Sequence, residues 1–234
     1  MDLQIVQAAF MLGFVAMAAG AFYFFMERGD LKPEHRSVGT YAAVIALIAA
    51  IMYYVMKDTV MFPGGMITVT EINATMPLRY IDWLITTPLL LVEFGLIVSL
   101  AGGAKAGMVT RLVIADLIMI VTGYLGEIGV VGSASNYIFF IISTLAWVYI
   151  IMQIMRVNIS SGPAYAQRAV KTMRWFVIAG WAIYPIGTAI QQFMGIGGAD
   201  ITQAAAIAAV IYVVADVLNK VGFGMIAVSA AKKA

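Results

Sequence analysis

Cysteine is absent and histidine occurs once. Without cysteine there is no disulfide, no thiol nucleophile and no thiolate-bound metal. His35 lies between Glu34 and Arg36 in a polar stretch and reads as a solvated connection residue, so no metal site is expected. Charge is scarce as well. Charged residues make up 11% of the chain, where a soluble domain carries about 25%. The net charge of +2 gives no electrostatic footprint for nucleic acid. What fills the chain is apolar: 63% hydrophobic residues, with a mean hydropathy of +0.96. At ~20 residues per span, 234 residues have room for about seven membrane helices and short connections. The chain is therefore read as one all-α transmembrane unit over 1–234.

Apolar runs broken by Gly, Pro and charge clusters place the spans at 4–26, 37–57, 77–101, 107–127, 136–156, 170–193 and 202–229. The amino terminus has no basic n-region before its apolar run, which predicts a retained first helix. The longest connection, 58–76, carries Pro63-Gly64-Gly65 and then Ile67, Val69 and Glu71 alternating with Thr68 and Thr70, the pattern of a short β-hairpin. Basic residues set the expected orientation. Arg28, Lys32 and Arg36, then Lys105 and Arg111, then Arg156, Arg168, Lys171 and Arg174, and finally Lys232 and Lys233, all fall on one side. That side is expected to be cytoplasmic and the amino terminus extracellular, so the third and seventh spans both run inward.

Against this background the ionisable residues inside spans are expensive and point to function. Lys220 lies within the seventh span, and Asp216 precedes it by four residues on the same helix face. The third span holds Asp82, Thr86 and Glu93. The interval between the two acids is almost three helical turns, which sets them on one stripe about 16 Å apart. Arg79 is one turn before Asp82. Lys220 and Arg79 would then balance Asp82 and Asp216, as buried charges require. Glu93 stands among Leu91, Val92 and Phe94, where a carboxyl group is expected to keep its proton. A cation with an acceptor on its outer side and a stored proton on its inner side would move protons outward. The alternative for Lys220 and Asp216 is a structural ion pair. Asp116 in the fourth span has no partner at telling spacing and reads as a hydrogen-bonded polar group.

Three motifs resemble those of the microbial (type 1) rhodopsins. Arg79-Tyr80-Ile81-Asp82-Trp83-Leu84-Ile85-Thr86-Thr87-Pro88 with Glu93 resembles their third helix. Trp181-Ala182-Ile183-Tyr184-Pro185 resembles the sixth, and Asp216-Val217-Leu218-Asn219-Lys220-Val221-Gly222-Phe223-Gly224 the seventh. The resemblance implies a seven-helix bundle holding all-trans retinal on Lys220 as a protonated Schiff base. The Asp82, Thr86, Glu93 triplet is similar to that of proteorhodopsin-like bacterial proton pumps. It implies Asp82 as counterion and proton acceptor, Glu93 as cytoplasmic donor and Asp216 as second counterion, with Arg79 and Thr86 beside them. Pocket positions are matched by Tyr53, Tyr80, Trp83, Thr87, Leu90, Met119, Gly123, Phe140, Ser143, Thr144, Trp181, Tyr184 and Pro185.

The expected function is a light-driven outward proton pump in a prokaryotic plasma membrane, an ion transporter rather than an enzyme, assembled as a trimer or pentamer. A photosensor signalling through a membrane transducer is the alternative. A seven-helix transporter or receptor without a chromophore is a third reading. Several positions depart from the family pattern. Met52 stands where proteorhodopsins carry a histidine on the counterion, and Thr188 where an aromatic residue is common. Gln191, Gln192 and Ala208 occupy the neighbourhood of the haloarchaeal proton-releasing glutamate pair. Phe140 stands where carotenoid-binding relatives have glycine, which argues against a carotenoid antenna.

Overall fold

Backbone amides in hydrocarbon must find partners within the protein, and a helix supplies them residue by residue. The computed structural model describes residues 3–60, 69–129, 133–194 and 201–234, and among these it forms helices and no strand. Seven helical segments are long and apolar enough to cross a membrane. The first five spans are α1 (Leu3–Glu27), α2 (Arg36–Thr59), α4 (Met76–Leu100), α5 (Met108–Ile128) and α6 (Ser133–Met155), with a short α3 (Val69–Ala74) before the third. The sixth joins α7 (Ala164–Trp175) and α8 (Trp181–Met194) through a π-helical turn at Phe176–Gly180. The seventh joins α9 (Ile201–Asp216) and α10 (Phe223–Ala231) through a second π turn at Val217–Gly222.

Two expectations change. The proposed hairpin is corrected over its second half: Val69–Ala74 is helical. Its remainder, including Pro63, Gly64, Gly65, Ile67 and Thr68, lies outside the described residues. The sixth helix begins at Ala164, well before the expected 170. Ala166, Ala169, Val170 and Met173 form a buried stripe there, while Arg168, Lys171 and Arg174 break the apolar run. Amphipathic periodicity extends the helix beyond the segment that hydropathy alone marks.

Packing follows the same periodicity. In α1, Val6, Phe10, Met17, Ala21 and Phe24 are buried and recur at helical intervals along one stripe. The other face, including Phe22 at 69% and Phe25 at 65% exposed, would be a liability in water and is the surface that meets lipid in a bilayer. α1 packs on α2 and on α9, α4 on α2 and α5, α5 on α6, and α8 on α9, so the bundle closes on itself. Alanines at 42, 46, 49 and 50 in α2 are buried and let neighbouring backbones approach. At the end of the bundle rich in basic residues, Lys232 pairs with Glu27 and, at 3.6 Å, with Asp30. Lys32 Nζ donates to the Ala234 carbonyl at 2.8 Å. The final residues are thereby fastened to the connection between the first two spans.

Candidate functional site

α4 and the π turn of the seventh span bring the sequence-identified charges together inside the bundle. Lys220 is 2% exposed, Asp82 and Asp216 1% each. Lys220 Nζ donates to Asp82 Oδ2 and, at 3.2 Å, to Asp216 Oδ2. The two carboxylates are held very differently. Asp216 accepts from the Tyr184 hydroxyl at 2.6 Å, the Tyr53 hydroxyl at 2.8 Å and Trp83 Nε1 at 3.3 Å. Every one of these donors occupies a lone pair of the carboxyl oxygens. Asp82 Oδ1 has no hydrogen-bond partner, and the neighbouring Thr86 hydroxyl donates to the Asp82 backbone carbonyl at 2.8 Å. Asp216 is therefore held by three neutral donors besides Lys220, whereas Asp82 has one oxygen without a partner.

The other polar residues of the interior occupy distinct levels. Arg79 is 3% exposed. Its guanidinium lies 5.0 Å from the centre of the Tyr212 ring, with Nε and Nη1 unpartnered. Arg79 forms no ion pair among the described residues. Glu93, toward the basic end of α4, is fully buried with no hydrogen-bond partner at either carboxyl oxygen. Asp116 does have a partner: the Thr87 hydroxyl, one span away, donates to its Oδ2 at 2.8 Å. The separation of these residues in sequence hid that pairing. Met52 packs among apolar residues.

Beside the Lys220 cluster lies a cavity with about 720 Å³ of empty space, part of it open to the outside. Tyr80, Trp83, Thr87, Met119, Gly123, Phe140, Ser143, Thr144, Trp181, Tyr184 and Pro185 line it, and so do Ile120, Gly126, Trp147 and Thr188. Trp83 and Tyr184 belong to both places, facing the cavity while bonding to Asp216. Tyr53 reaches the site through Asp216 instead, and Leu90 sits in the core cluster that contains Trp181. Two hydroxyls on the wall are turned back to backbone carbonyls, Ser143 to Met119 and Thr144 to Phe140, each at 2.8 Å. The space offers an apolar, aromatic-lined slot near a buried amine, a lining that suits an elongated apolar ligand.

The second π turn carries Lys220, and the first ends at Gly180, just before the cavity-lining Trp181. Pro88 and Pro185 each remove a helical hydrogen bond nearby, and Asn219 Nδ2 donates to the Tyr184 hydroxyl at 3.3 Å. A Cβ at Gly180 would meet Asn219 Oδ1 at 1.9 Å. With glycine there, the buried Asn219 side chain can lie against the backbone of the sixth span without moving. The sequence reading gave Asn219 no role of its own, took Thr188 only as a departure at a pocket position and did not single out Glu127, although Thr188 Oγ1 donates to Glu127 Oε1 at 2.7 Å. Glu127 stands at the very boundary of the predicted fourth span, 107–127, where apolar periodicity carries no signal. The side chains of Gln191 and Gln192 lie outside the described residues, and Ala208 is fully buried.

A seven-span bundle with a lysine bridged to two buried carboxylates, next to an aromatic cavity, defines a chromophore-binding membrane protein. Comparison with known proteins places it further. The family model of bacteriorhodopsin-like proteins matches residues 4–234. A green-light absorbing proteorhodopsin from a gamma-proteobacterium is 33% identical over 222 residues, covering 93% of this chain and 83% of that protein. Bacteriorhodopsin-II of Haloarcula marismortui is 32% identical over 227 residues, covering 92% and 84%. The crystal structure of Exiguobacterium sibiricum rhodopsin superposes with a TM-score of 0.87 at 42% identity, covering 99% of this chain and 97% of that one. The chain belongs to the bacteriorhodopsin-like family, whose members bind retinal as their chromophore. It is a multi-pass protein of a prokaryotic plasma membrane.

Proposed function

We propose that the protein is a light-driven outward proton pump with retinal held covalently on Lys220. The observation that carries this reading is the unequal treatment of its carboxyl groups. Asp216 is saturated with donors, Asp82 keeps one oxygen free, and Glu93 waits, unpartnered and buried, on the other side. Retinal, when bound, supplies a light-absorbing polyene whose change of shape delivers the energy of the photon to the Lys220 nitrogen. The Trp83, Trp181 and Tyr184 rings would hold it and exclude water. At rest the proton sits on Lys220 Nζ, balanced by Asp82 and Asp216. Light moves it to Asp82 Oδ1 or Oδ2, against an ion-pair attraction of about 4 kcal/mol at 4 Å and an effective dielectric near 20. Asp216, already bonded to three donors, is not the acceptor in this reading.

Lys220 must then be recharged. Glu93 is an uncharged source in this reading, since an isolated carboxylate among apolar residues would be costly. With the basic end facing the cytoplasm, the proton enters through Glu93 and leaves beyond Asp82. A sensory member needs no such second acid, so Glu93 favours transport. The reading includes assembly as a trimer or pentamer, which mass measurement in lipid discs would count. Illuminating retinal-loaded cells in unbuffered medium should acidify the medium, and a protonophore should abolish the change. Alkalinisation, or no change in a pigment that absorbs and cycles, would sink the proposal.

A further inference from the structure

One cluster remains outside this scheme. It lies at the end of the bundle opposite the basic residues, where Glu127 closes α5. Thr188 Oγ1 donates to Glu127 Oε1 at 2.7 Å, and Tyr212 Oη lies 3.2 Å from the same Thr188 oxygen. Tyr212 Oη is also 3.2 Å from the Tyr184 carbonyl, and the Tyr184 hydroxyl is bonded to Asp216. Glu127 interacts with the Tyr80 hydroxyl as well. Arg79 lies against the Tyr212 ring with two nitrogens unpartnered. These contacts link Glu127 through Thr188 and Tyr212 to the Tyr184 backbone, and the Tyr184 side chain reaches Asp216 beside Lys220. The seat of Tyr212 is specific: a Cβ at Gly187 would meet its ring at 2.5 Å. The other carboxylate with a described side chain at this end, Asp58, is exposed and paired with Lys57 at 3.0 Å.

Resting on the pump reading, we propose that Glu127 is the exit carboxylate, which receives the transported proton from Asp82 and passes it to water. The order of events follows from charge. Before light, Lys220 and Arg79 balance Asp82 and Asp216. Moving the proton from Lys220 to Asp82 leaves that sum at zero. Recharging Lys220 from Glu93 makes the cluster positive by one, and this excess drives the proton off Asp82. Glu127 Oε1 accepts from the Thr188 hydroxyl in the resting arrangement, which holds the carboxyl group in place to take the proton. The proton bonds to a Glu127 carboxylate oxygen as Asp82 regains its charge, and Glu127 then loses it to the medium.

Flash experiments on retinal-loaded protein in lipid discs test this, with the infrared carboxyl band of Asp82 and a pH indicator dye read together. In Glu127→Gln the visible band and the rise of the Asp82 band should match the unsubstituted protein. The decay of the Asp82 band and the acidification of the medium should both slow by about tenfold or more. Thr188→Val should slow them less, and Glu127→Asp should recover most of the rate. Unaltered decay and release in Glu127→Gln would overturn the exit role and leave the pump reading standing. Equal slowing by Glu127→Asp and Glu127→Gln would also overturn it, by showing that the side chain acts through packing. Absence of the Asp82 band in the unsubstituted protein would instead overturn the pump reading itself.

Discussion

At the scale of single residues, the site works through what each side chain is denied. Lys220 is the one lysine among the buried polar residues described. Lys220→Ala should therefore abolish the visible absorption band of retinal-treated protein, and a retinal band that survives denaturation in that variant would exclude covalent attachment there. Asp82→Asn removes one of the two anions beside the Lys220 nitrogen. It should move the band to longer wavelength and stop outward transport, as checked by spectroscopy and by light-driven pH change in the same preparation. Glu93→Gln acts on the other half of the path. Its colour and first proton transfer should be nearly intact, because neither Glu93 oxygen touches the Lys220 cluster. Recharging of Lys220 should slow by about tenfold or more, depend on bulk pH and be partly restored by azide. Recovery at the unsubstituted rate across pH would mean that the proton arrives by another route.

At the scale of elements, two π turns do what straight helices would not. They lie opposite each other at the level of Lys220, and Gly180 lets the Asn219 amide press into the sixth span. Adding one methyl group in Gly180→Ala forces a close contact, and overpacking of this kind costs about 1–3 kcal/mol. Thermal loss of the visible band should come at lower temperature in that variant. Asn219→Ala in the same chain should return part of the loss, because the atom that clashes is gone, and the double-mutant cycle should be non-additive. Purely additive losses would show that Gly180 and Asn219 are not coupled. None of this was legible in the sequence, since a π turn leaves no apolar period of its own and the Gly180–Asn219 contact joins different spans. The spans themselves were legible, because hydrocarbon requires long apolar helices. So were the Asp216–Lys220 pair and the Asp82–Glu93 stripe, which lie within single helices where spacing translates directly into geometry. The Thr87–Asp116 bond and the Thr188–Glu127 bond cross between helices and needed coordinates. The segment at Val69–Ala74 shows the opposite failure: alternation over a few residues looked like a strand but forms the helical approach to the third span.

At the scale of the whole molecule, the direction of transport depends on how the bundle sits in the membrane. Arg28, Lys32 and Arg36, the Lys105–Arg111 turn, the connection around Arg156 and Arg168, and the final lysines all gather at one end. The pairing of Lys232 with Glu27 and Asp30 brings the seventh span's end to the first connection. Basic connections are retained in the cytoplasm, so this end should face inward. The path would then run from Glu93 through Lys220 and Asp82 toward Glu127. The lack of cysteine makes the test clean, because any introduced thiol is unique. Asp58→Cys places a thiol at the end opposite the basic residues, on a side chain 49% exposed. Lys233→Cys places one at the basic end. In intact cells or right-side-out spheroplasts, a membrane-impermeant maleimide should label Asp58→Cys at once, and Lys233→Cys only after the membrane is opened. The same cells should acidify their medium in light. If Lys233→Cys is labelled from outside, the bundle is inverted, and the charge arrangement that moves a proton from Glu93 to Asp82 would carry it into the cell.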